Sequence, residues 1–377
     1  MRILHLGKYY APERGGIESY AQALCEWTAA AGRDVAALVH QRPGVWRTTR
    51  ETVNGIGVRR VACIAAPVYT PLSPTYPFEL SHELAEFAPD LLHLHLPNPS
   101  CFALLASARA RRVPWIVHWH SDIPPDAPDW RLRTGYRVYK PFEQALLKRA
   151  AAVVATSDAY LNASAALAPW RAKARVIALG AGDVALPPRR DDLWPDGDGV
   201  RWLAVGRLSH YKGFDVLLRA LADVSDARLV IVGEGECANE LRDTATKCGV
   251  ASRVRFAGSV DDATLLAAYA AADAFVLPSL NRGEAFGLVL LEAMRARLPV
   301  IASAIPGSGI GEVVADGESG LLVPPGDATA LAAALARMRD ADHRARMGAS
   351  GRERYEALFT LERSAQRWLQ LYQDVLH

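Results

Sequence analysis

Short apolar runs alternate with longer stretches of helical period along almost the whole chain. The runs at residues 2–6, 35–39, 91–94, 115–118 and 153–156 predict strands, and the stretches at 18–31, 100–111 and 132–149 predict helices. Residues 186–199 (LPPRRDDLWPDGDG) interrupt the alternation with Pro, Gly and charge, the composition in which linkers concentrate. The pattern restarts at Trp202, with strands predicted at 228–232, 253–256, 274–277 and 300–302 and a helix at 331–339. A last helix over 361–376 carries Trp368, Leu371, Tyr372 and Leu376 on one face. Alternation of this kind signals parallel sheets covered by helices. The expected architecture is α/β: a domain over residues 1–188, a linker at 189–199, a second domain over 200–358 and a terminal helix at 359–377.

Bulk properties narrow the class. A chain of 377 residues suffices for two domains, each large enough to bury its own core. Half the residues are apolar and 22% charged, the profile of a compact soluble enzyme. A net charge of +2 gives no electrostatic reason to expect a nucleic-acid partner. Cys25, Cys63, Cys101, Cys237 and Cys248 are scattered, odd in number and without CxxC spacing, which suits packing roles in a reducing compartment. The first residues run straight into a strand with no signal-peptide pattern, and no apolar run approaches the length of about 18 needed to span a bilayer. A cytoplasmic protein is expected.

The candidate chemistry starts with Glu284 and Glu292, which bracket EAFGLVLLE after the strand at 274–277. A carboxylate at a loop-to-helix junction can hold sugar hydroxyls, and a second one eight residues on would lie roughly 12 Å away along a continuous helix. Between them the amides of Phe286, Gly287 and Leu288 offer donors at the positive end of a helix dipole. The loop at 206–213 (GRLSHYKG) joins a strand to an amphipathic helix and carries Arg207 and Lys212. An arginine can grip a diphosphate through two bonds, and a lysine adds a movable charge. In the loop at 258–263, Asp262 either accepts the paired N–H donors of a guanine or caps the helix that follows; Val260 is a donor-binding candidate beside it.

In the first half, Gly15 and Gly16 lie between the first strand and first helix, where backbone amides can meet phosphate or sugar oxygens. Glu18 reads as a helix-start carboxylate. His120 ends a strand within VHWHSD, with His118 packed in the strand; a second pair, His93 and His95, has the same spacing. Such pairs raise zinc, but no third ligand follows at a motif spacing, so no metal site is expected. The segment Trp130–Arg149 carries Arg131, Arg133, Arg137, Lys140, Lys148 and Arg149 against Glu143 alone, interleaved with Trp130, Tyr136, Tyr139 and Phe142. It suits either an anionic membrane surface or an ordinary solvated face, and Pro141 suggests two shorter helices.

Gly206-Arg207, Lys212-Gly213, the Glu284-x7-Glu292 pair and the tail at 317–326 (GESGLLVPPG) together resemble the donor half of retaining glycosyltransferases of family 4. The resemblance covers nearly the whole chain and is densest from Gly206 to Gly326. It implies the GT-B fold, two Rossmann-like domains facing a cleft with the last helix crossing back onto the first. It implies transfer of a hexose from a nucleotide sugar with retention and without metal or cofactor, Arg207 and Lys212 on the leaving diphosphate, Glu284 on the sugar, Glu292 on the ribose, Gly15 and Gly16 near the diphosphate and His120 on the sugar. KYYAP, GGIE and HWHSD look most like bacterial mannosyltransferases of exopolysaccharide or O-antigen assembly, implying GDP-mannose, with UDP-sugars as the alternative, and a glycan or lipid-linked oligosaccharide acceptor. A nucleotide-sugar epimerase would need further acid/base carboxylates that the sequence does not single out. A noncatalytic sugar-nucleotide binder is countered by the intact Arg207, Lys212, Glu284 and Glu292. A nicotinamide enzyme lacks its GxGxxG after the first strand.

Overall fold

A computed structural model describes residues 1–67, 70–123 and 130–377, without the side chains of residues 130–132. The chain divides into two units, one of Met1–Gly180 with Leu361–His377 and one of Ala181–Thr360.

The first unit is built on eight strands: β1 (Arg2–Leu6), β2 (Asp34–His40), β3 (Thr49–Val53), β4 (Ile56–Val61), β5 (Leu91–Leu96), β6 (Trp115–Trp119), β7 (Ala152–Ala155) and β8 (Ala174–Val176). Their order is β3-β4-β2-β1-β5-β6-β7-β8, parallel throughout except the β3–β4 hairpin. Apart from Arg2, the central strands are buried along both faces, their apolar residues interrupted by buried histidines. That hairpin lies outside the expected strands: β3 is mostly exposed and polar, so it leaves no apolar run to read.

The helix expected at 100–111 is instead three short turns, Pro99–Phe102, Ala103–Ala106 and Ala110–Arg112. Local polar side chains compete with the helical ladder there: Asn98 accepts from the Ser100 amide, and the Ser107 hydroxyl accepts from the Ala110 amide. Conversely, Trp130–Arg149 is a single helix that carries Pro141 within it, not two.

The terminal helix Leu361–Leu376 belongs to the first unit. Its fully buried Trp368 donates to the Tyr20 hydroxyl (3.0 Å), Tyr20 pairs with the Ser364 hydroxyl (2.6 Å), and Ser364 donates to the Ala178 carbonyl (2.6 Å). Each hydroxyl in that relay both gives and receives a proton, so none is buried unsatisfied.

The second unit holds β9 (Val200–Val205), β10 (Ala227–Val232), β11 (Val254–Gly258), β12 (Ala274–Leu277), β13 (Val300–Ser303) and β14 (Gly320–Val323), in the order β11-β10-β9-β12-β13-β14 and all parallel. Residues 189–199, where composition puts a linker, pack as part of this unit. Trp194 is buried and donates to the Trp202 carbonyl (3.3 Å), and Arg201 pairs with Asp191 and with Asp273 (3.2 Å). The Pro/Gly/charge rule weighs neither a lone Trp nor a long-range ion pair. In both sheets the order reverses beside the first strand of the unit, β1 and β9, and loops at the carboxyl ends of such strands are where open α/β sheets bind ligands. Among the described residues no helix is long and apolar enough to cross a membrane.

Candidate functional site

The loops after β9 and β12, which are neighbours in the sheet, meet at their carboxyl ends. The backbone comes close there: the Leu280 amide donates to the Tyr211 carbonyl (2.7 Å). Gly213 sits at φ 65, and a Cβ on it would lie 2.1 Å from the Pro278 carbonyl oxygen, so only glycine fits. This turn tucks Lys212 inward. Lys212, 7% exposed, donates through its ammonium to Glu284 Oε2 at 2.6 Å, and the buried Ser279 hydroxyl donates to the same oxygen at 3.1 Å. Burial by itself pulls the Lys212 pKa down; the Glu284 carboxylate more than offsets this and holds it above the ordinary lysine value. Arg207 stands on the exposed side of the same loop.

Glu284 is not on the helix that follows. It lies in the turn before, its amide donating to the Asn281 carbonyl (3.0 Å) and its carbonyl accepting from the Ser308 hydroxyl (2.6 Å). Gly287, at φ 82, turns the chain into the helix Leu288–Arg295, so the continuous helical run between the two glutamates does not form. Phe286 contributes backbone only, since its ring is buried beside Phe359. Glu292 rides on that helix and accepts a 2.7 Å bond from the Tyr269 hydroxyl. Burial raises the Glu292 pKa, opposed by the Tyr269 bond. Tyr269, Ser279 and Ser308 are partners that sequence reasoning missed; only Ser279, just past the end of β12, stood where a motif search would look.

Asp262 does not cap its helix. Asp261 does, accepting from the Thr264 amide at 2.8 Å, and Asp262 is the first helical residue, exposed, with Val260 half-buried before it. In the first unit Gly15 has an extended φ of 177 and serves as the N-cap of Gly16–Ala30. Any residue reaches that φ, and a Cβ there would meet only the carboxylate end of the flexible Glu18 side chain, 2.2 Å from Oε2, so the position does not by itself require glycine. Glu18 thus folds back over the helix start, in keeping with its reading as a helix-start carboxylate.

His120 is buried in a group of five imidazoles. The strand register sets His5 opposite His93 and His95 opposite His118, all from β1, β5 and β6, with His120 just beyond β6. His5 Nδ1 lies 3.1 Å from His95 Nε2, His95 Nδ1 3.0 Å from His120 Nε2, and His93 Nε2 3.3 Å from His118 Nδ1. No third ligand follows either histidine pair at a motif spacing in the sequence; in the structure further ring nitrogens come alongside from adjacent strands, at long sequence distance. Burial pushes all five pKa values down, that of His95 to about 3, so the rings are neutral at pH 7.

Helix Trp130–Arg149 exposes Arg133, Arg137, Lys140, Val138 and Phe142, while Tyr139 is turned inward; the side chains of Trp130 and Arg131 lie outside the described residues. The segment's acidic residue, Glu143, is buried, which pushes its carboxyl up to about 7. The exposed face therefore carries positive charge and apolar surface together.

Residues 190–354 match the family model of glycosyl transferases group 1, and residues 15–180 that of the glycosyl transferase 4-like domain. The chain is 34% identical to the D-rhamnosyltransferase WbpZ of Pseudomonas aeruginosa, over 96% of this chain and 92% of the relative. It is 31% identical to the O-antigen chain mannosyltransferase C of Escherichia coli, over 100% and 99%. Among solved structures, sucrose-phosphate synthase from Thermosynechococcus elongatus superposes with a TM-score of 0.81 at 27% identity, covering 99% of this chain and 98% of that one. With two parallel-sheet α/β units of the GT-B type and family matches on both halves, this chain belongs to the family 4, group 1 glycosyltransferases.

Proposed function

We propose that the protein transfers a manno-configured hexose from a nucleoside diphosphate sugar, GDP-mannose ahead of any UDP-sugar, to a hydroxyl of a glycan or lipid-linked oligosaccharide. Transfer proceeds with retention and with no metal at the diphosphate and no cofactor. The observation that carries this reading is the Lys212–Glu284 pair at the ends of two adjacent central strands. Cleaving the anomeric bond builds positive charge on the sugar and adds negative charge to the leaving diphosphate. Arg207, the remaining N–H bonds of Lys212 and the amides of Gly287 and Leu288 at the helix start stabilise the leaving group by preorganised electrostatics. Both bonds to Glu284 fall on Oε2, which leaves Oε1 to accept from sugar hydroxyls. Glu292, oriented by Tyr269, accepts from the ribose. Asp262, with Val260 beside it, receives the guanine N–H donors. The Gly15–Gly16 amides serve the diphosphate, and His120, engaged with His95 through Nε2, offers Nδ1 to the sugar. The leaving phosphate takes the acceptor's proton.

The manno configuration is supported by two relatives whose names specify mannosyl and rhamnosyl transfer, since D-rhamnose is 6-deoxymannose. A panel of GDP-mannose, UDP-glucose, UDP-galactose and ADP-glucose, each with and without a lipid-linked glycan acceptor in EDTA, tests the reading. Acceptor-dependent GDP release from GDP-mannose alone is the expected result; release from no donor, or from a UDP-sugar instead, overturns the corresponding part.

The basic and apolar face of Trp130–Arg149 is proposed to dock on an anionic cytoplasmic leaflet, where a lipid-linked acceptor would lie. Each basic residue near such a surface contributes about 1 kcal/mol, screened as salt rises. Sedimentation with phosphatidylserine vesicles should pellet the wild type at low salt and release it at high salt. The Arg133/Arg137/Lys140→Glu variant should stay in solution throughout; equal pelleting of both returns this face to ordinary solvation.

A further inference from the structure

We propose that His95, His118 and His120 form a binding site for one zinc-class divalent metal ion in the first unit, with His5 orienting His95, and His93 and Tyr372 orienting His118. The proposal does not rest on the transferase reading, although His120 figures in both: it would ligate through Nε2 and leave Nδ1 for the sugar.

One ring nitrogen from each of the three histidines lies within 4.8 Å of the others. A tetrahedral zinc with Zn–N bonds of about 2.0–2.1 Å holds its nitrogens about 3.4 Å apart. His95 Nδ1 and His120 Nε2 are already 3.0 Å apart, so replacing the proton between them by a metal moves them by a few tenths of an ångström. His118 Nε2 is the third nitrogen. It is buried and, among the described residues, has no hydrogen-bond partner, whereas most buried side-chain polar atoms have one.

The surrounding bonds fit the same assignment. With His118 Nε2 ligating, its Nδ1 carries the proton and donates to His93 Nε2 (3.3 Å), and His93 Nδ1 then donates to the Tyr372 oxygen (2.7 Å). With His95 Nδ1 ligating, its Nε2 donates to His5 Nδ1 (3.1 Å). One set of neutral tautomers therefore accommodates the ring-to-ring and ring-to-Tyr372 hydrogen bonds and leaves three lone pairs for the metal, with the His5 Nε2 proton without a partner among the described residues. Metal-ligating histidines are usually held in this way through their second nitrogen. The other triplet in the cluster, His5, His93 and His95, is less suited, because both nitrogens of His93 are engaged with groups outside that triplet, Tyr372 and His118, whereas the His95 nitrogen that would ligate meets only His120, itself a ligand. Imidazole-only ligation favours zinc and its late first-row neighbours over magnesium or calcium, and three protein ligands leave a fourth position open to water.

The test is titration of the full chain, freed of metal by a chelator, with Co2+ as a visible-light reporter, followed by displacement with Zn2+ and by calorimetry with Zn2+ alone. No nucleotide sugar is present, so failure of the donor reading leaves this result untouched. The expected outcome is one equivalent of Co2+ with the d–d bands of a four-coordinate nitrogen-rich site, displaced by Zn2+. His118→Asn and His95→Asn should weaken binding at least about tenfold, and Tyr372→Phe, which removes a single oxygen from the supporting shell, about tenfold to a hundredfold. His210→Ala, at the separate His210/Cys237/Glu240 group, should leave the spectrum unchanged. Circular dichroism establishes that each variant is folded; if a histidine variant is not, Tyr372→Phe decides. No saturable one-equivalent spectrum from the wild type, an unchanged affinity in folded His118→Asn or Tyr372→Phe, or loss of the spectrum in His210→Ala overturns the site.

Discussion

Lys212→Ala is expected to lower turnover on the order of a hundredfold, about 3 kcal/mol of transition-state stabilisation, because it removes a preorganised cation from the leaving diphosphate. It should also destabilise the fold, since it strands the Glu284 carboxylate, which is 9% exposed. Removing one partner of a buried ion pair costs about 3–5 kcal/mol, whereas replacing both by neutral groups of similar volume is often close to neutral. The double variant Lys212→Met/Glu284→Gln should therefore recover most of the melting temperature and none of the activity. Arg207→Ala supplies the complementary case: Arg207 is exposed, so turnover should fall by a comparable factor with little change in stability. Thermal unfolding alongside steady-state nucleotide release separates the two effects. Near-normal turnover in both single variants would remove these cations from the reaction.

Glu292→Gln is expected to weaken binding of free GDP by a factor on the order of ten to a hundred, the equivalent of one hydrogen bond to a charged group at about 1.5–3 kcal/mol. Glu284→Gln should leave GDP affinity within about twofold and act on sugar transfer instead, since its proposed partner is absent from the free nucleotide. Tyr269→Phe should reproduce a fraction of the Glu292 effect, because the lost 2.7 Å bond orients that carboxylate without touching the ligand. Calorimetry with GDP alone reads all three. Should Glu284→Gln weaken GDP while Glu292→Gln does not, the two roles exchange.

Much of this arrangement was legible along the chain. Buried parallel strands need apolar residues on both faces, so β1, β12 and the terminal helix stand out from periodicity alone. The loop glycine at Gly213 and the cations beside it were visible because a strand–loop–helix junction leaves few ways to bind an anion. Exposed β3 left no such mark, and the turns at 99–112 broke a helical pattern through side-chain hydrogen bonds that periodicity does not weigh. The segment at 189–199 looked like a linker until Trp194 and Arg201 tied it to the second unit.

By itself the sequence determined the α/β class, the family and the identity of the charged groups at the candidate site, since these follow from local period and from motifs within one loop. Only the tertiary structure decided which groups meet. The Lys212–Glu284 pair spans 72 positions and the His5–His95 contact 90, and both depend on which strands lie side by side and in what register. A shift of one residue between β5 and β6 would turn His95 and His118 to opposite faces, and no period within either strand reports that register. The energetics divide in the same way: a charge or an imidazole is written in the chain, but its desolvation, and hence its pKa and its capacity to hold a ligand, is set by neighbours that only folding supplies.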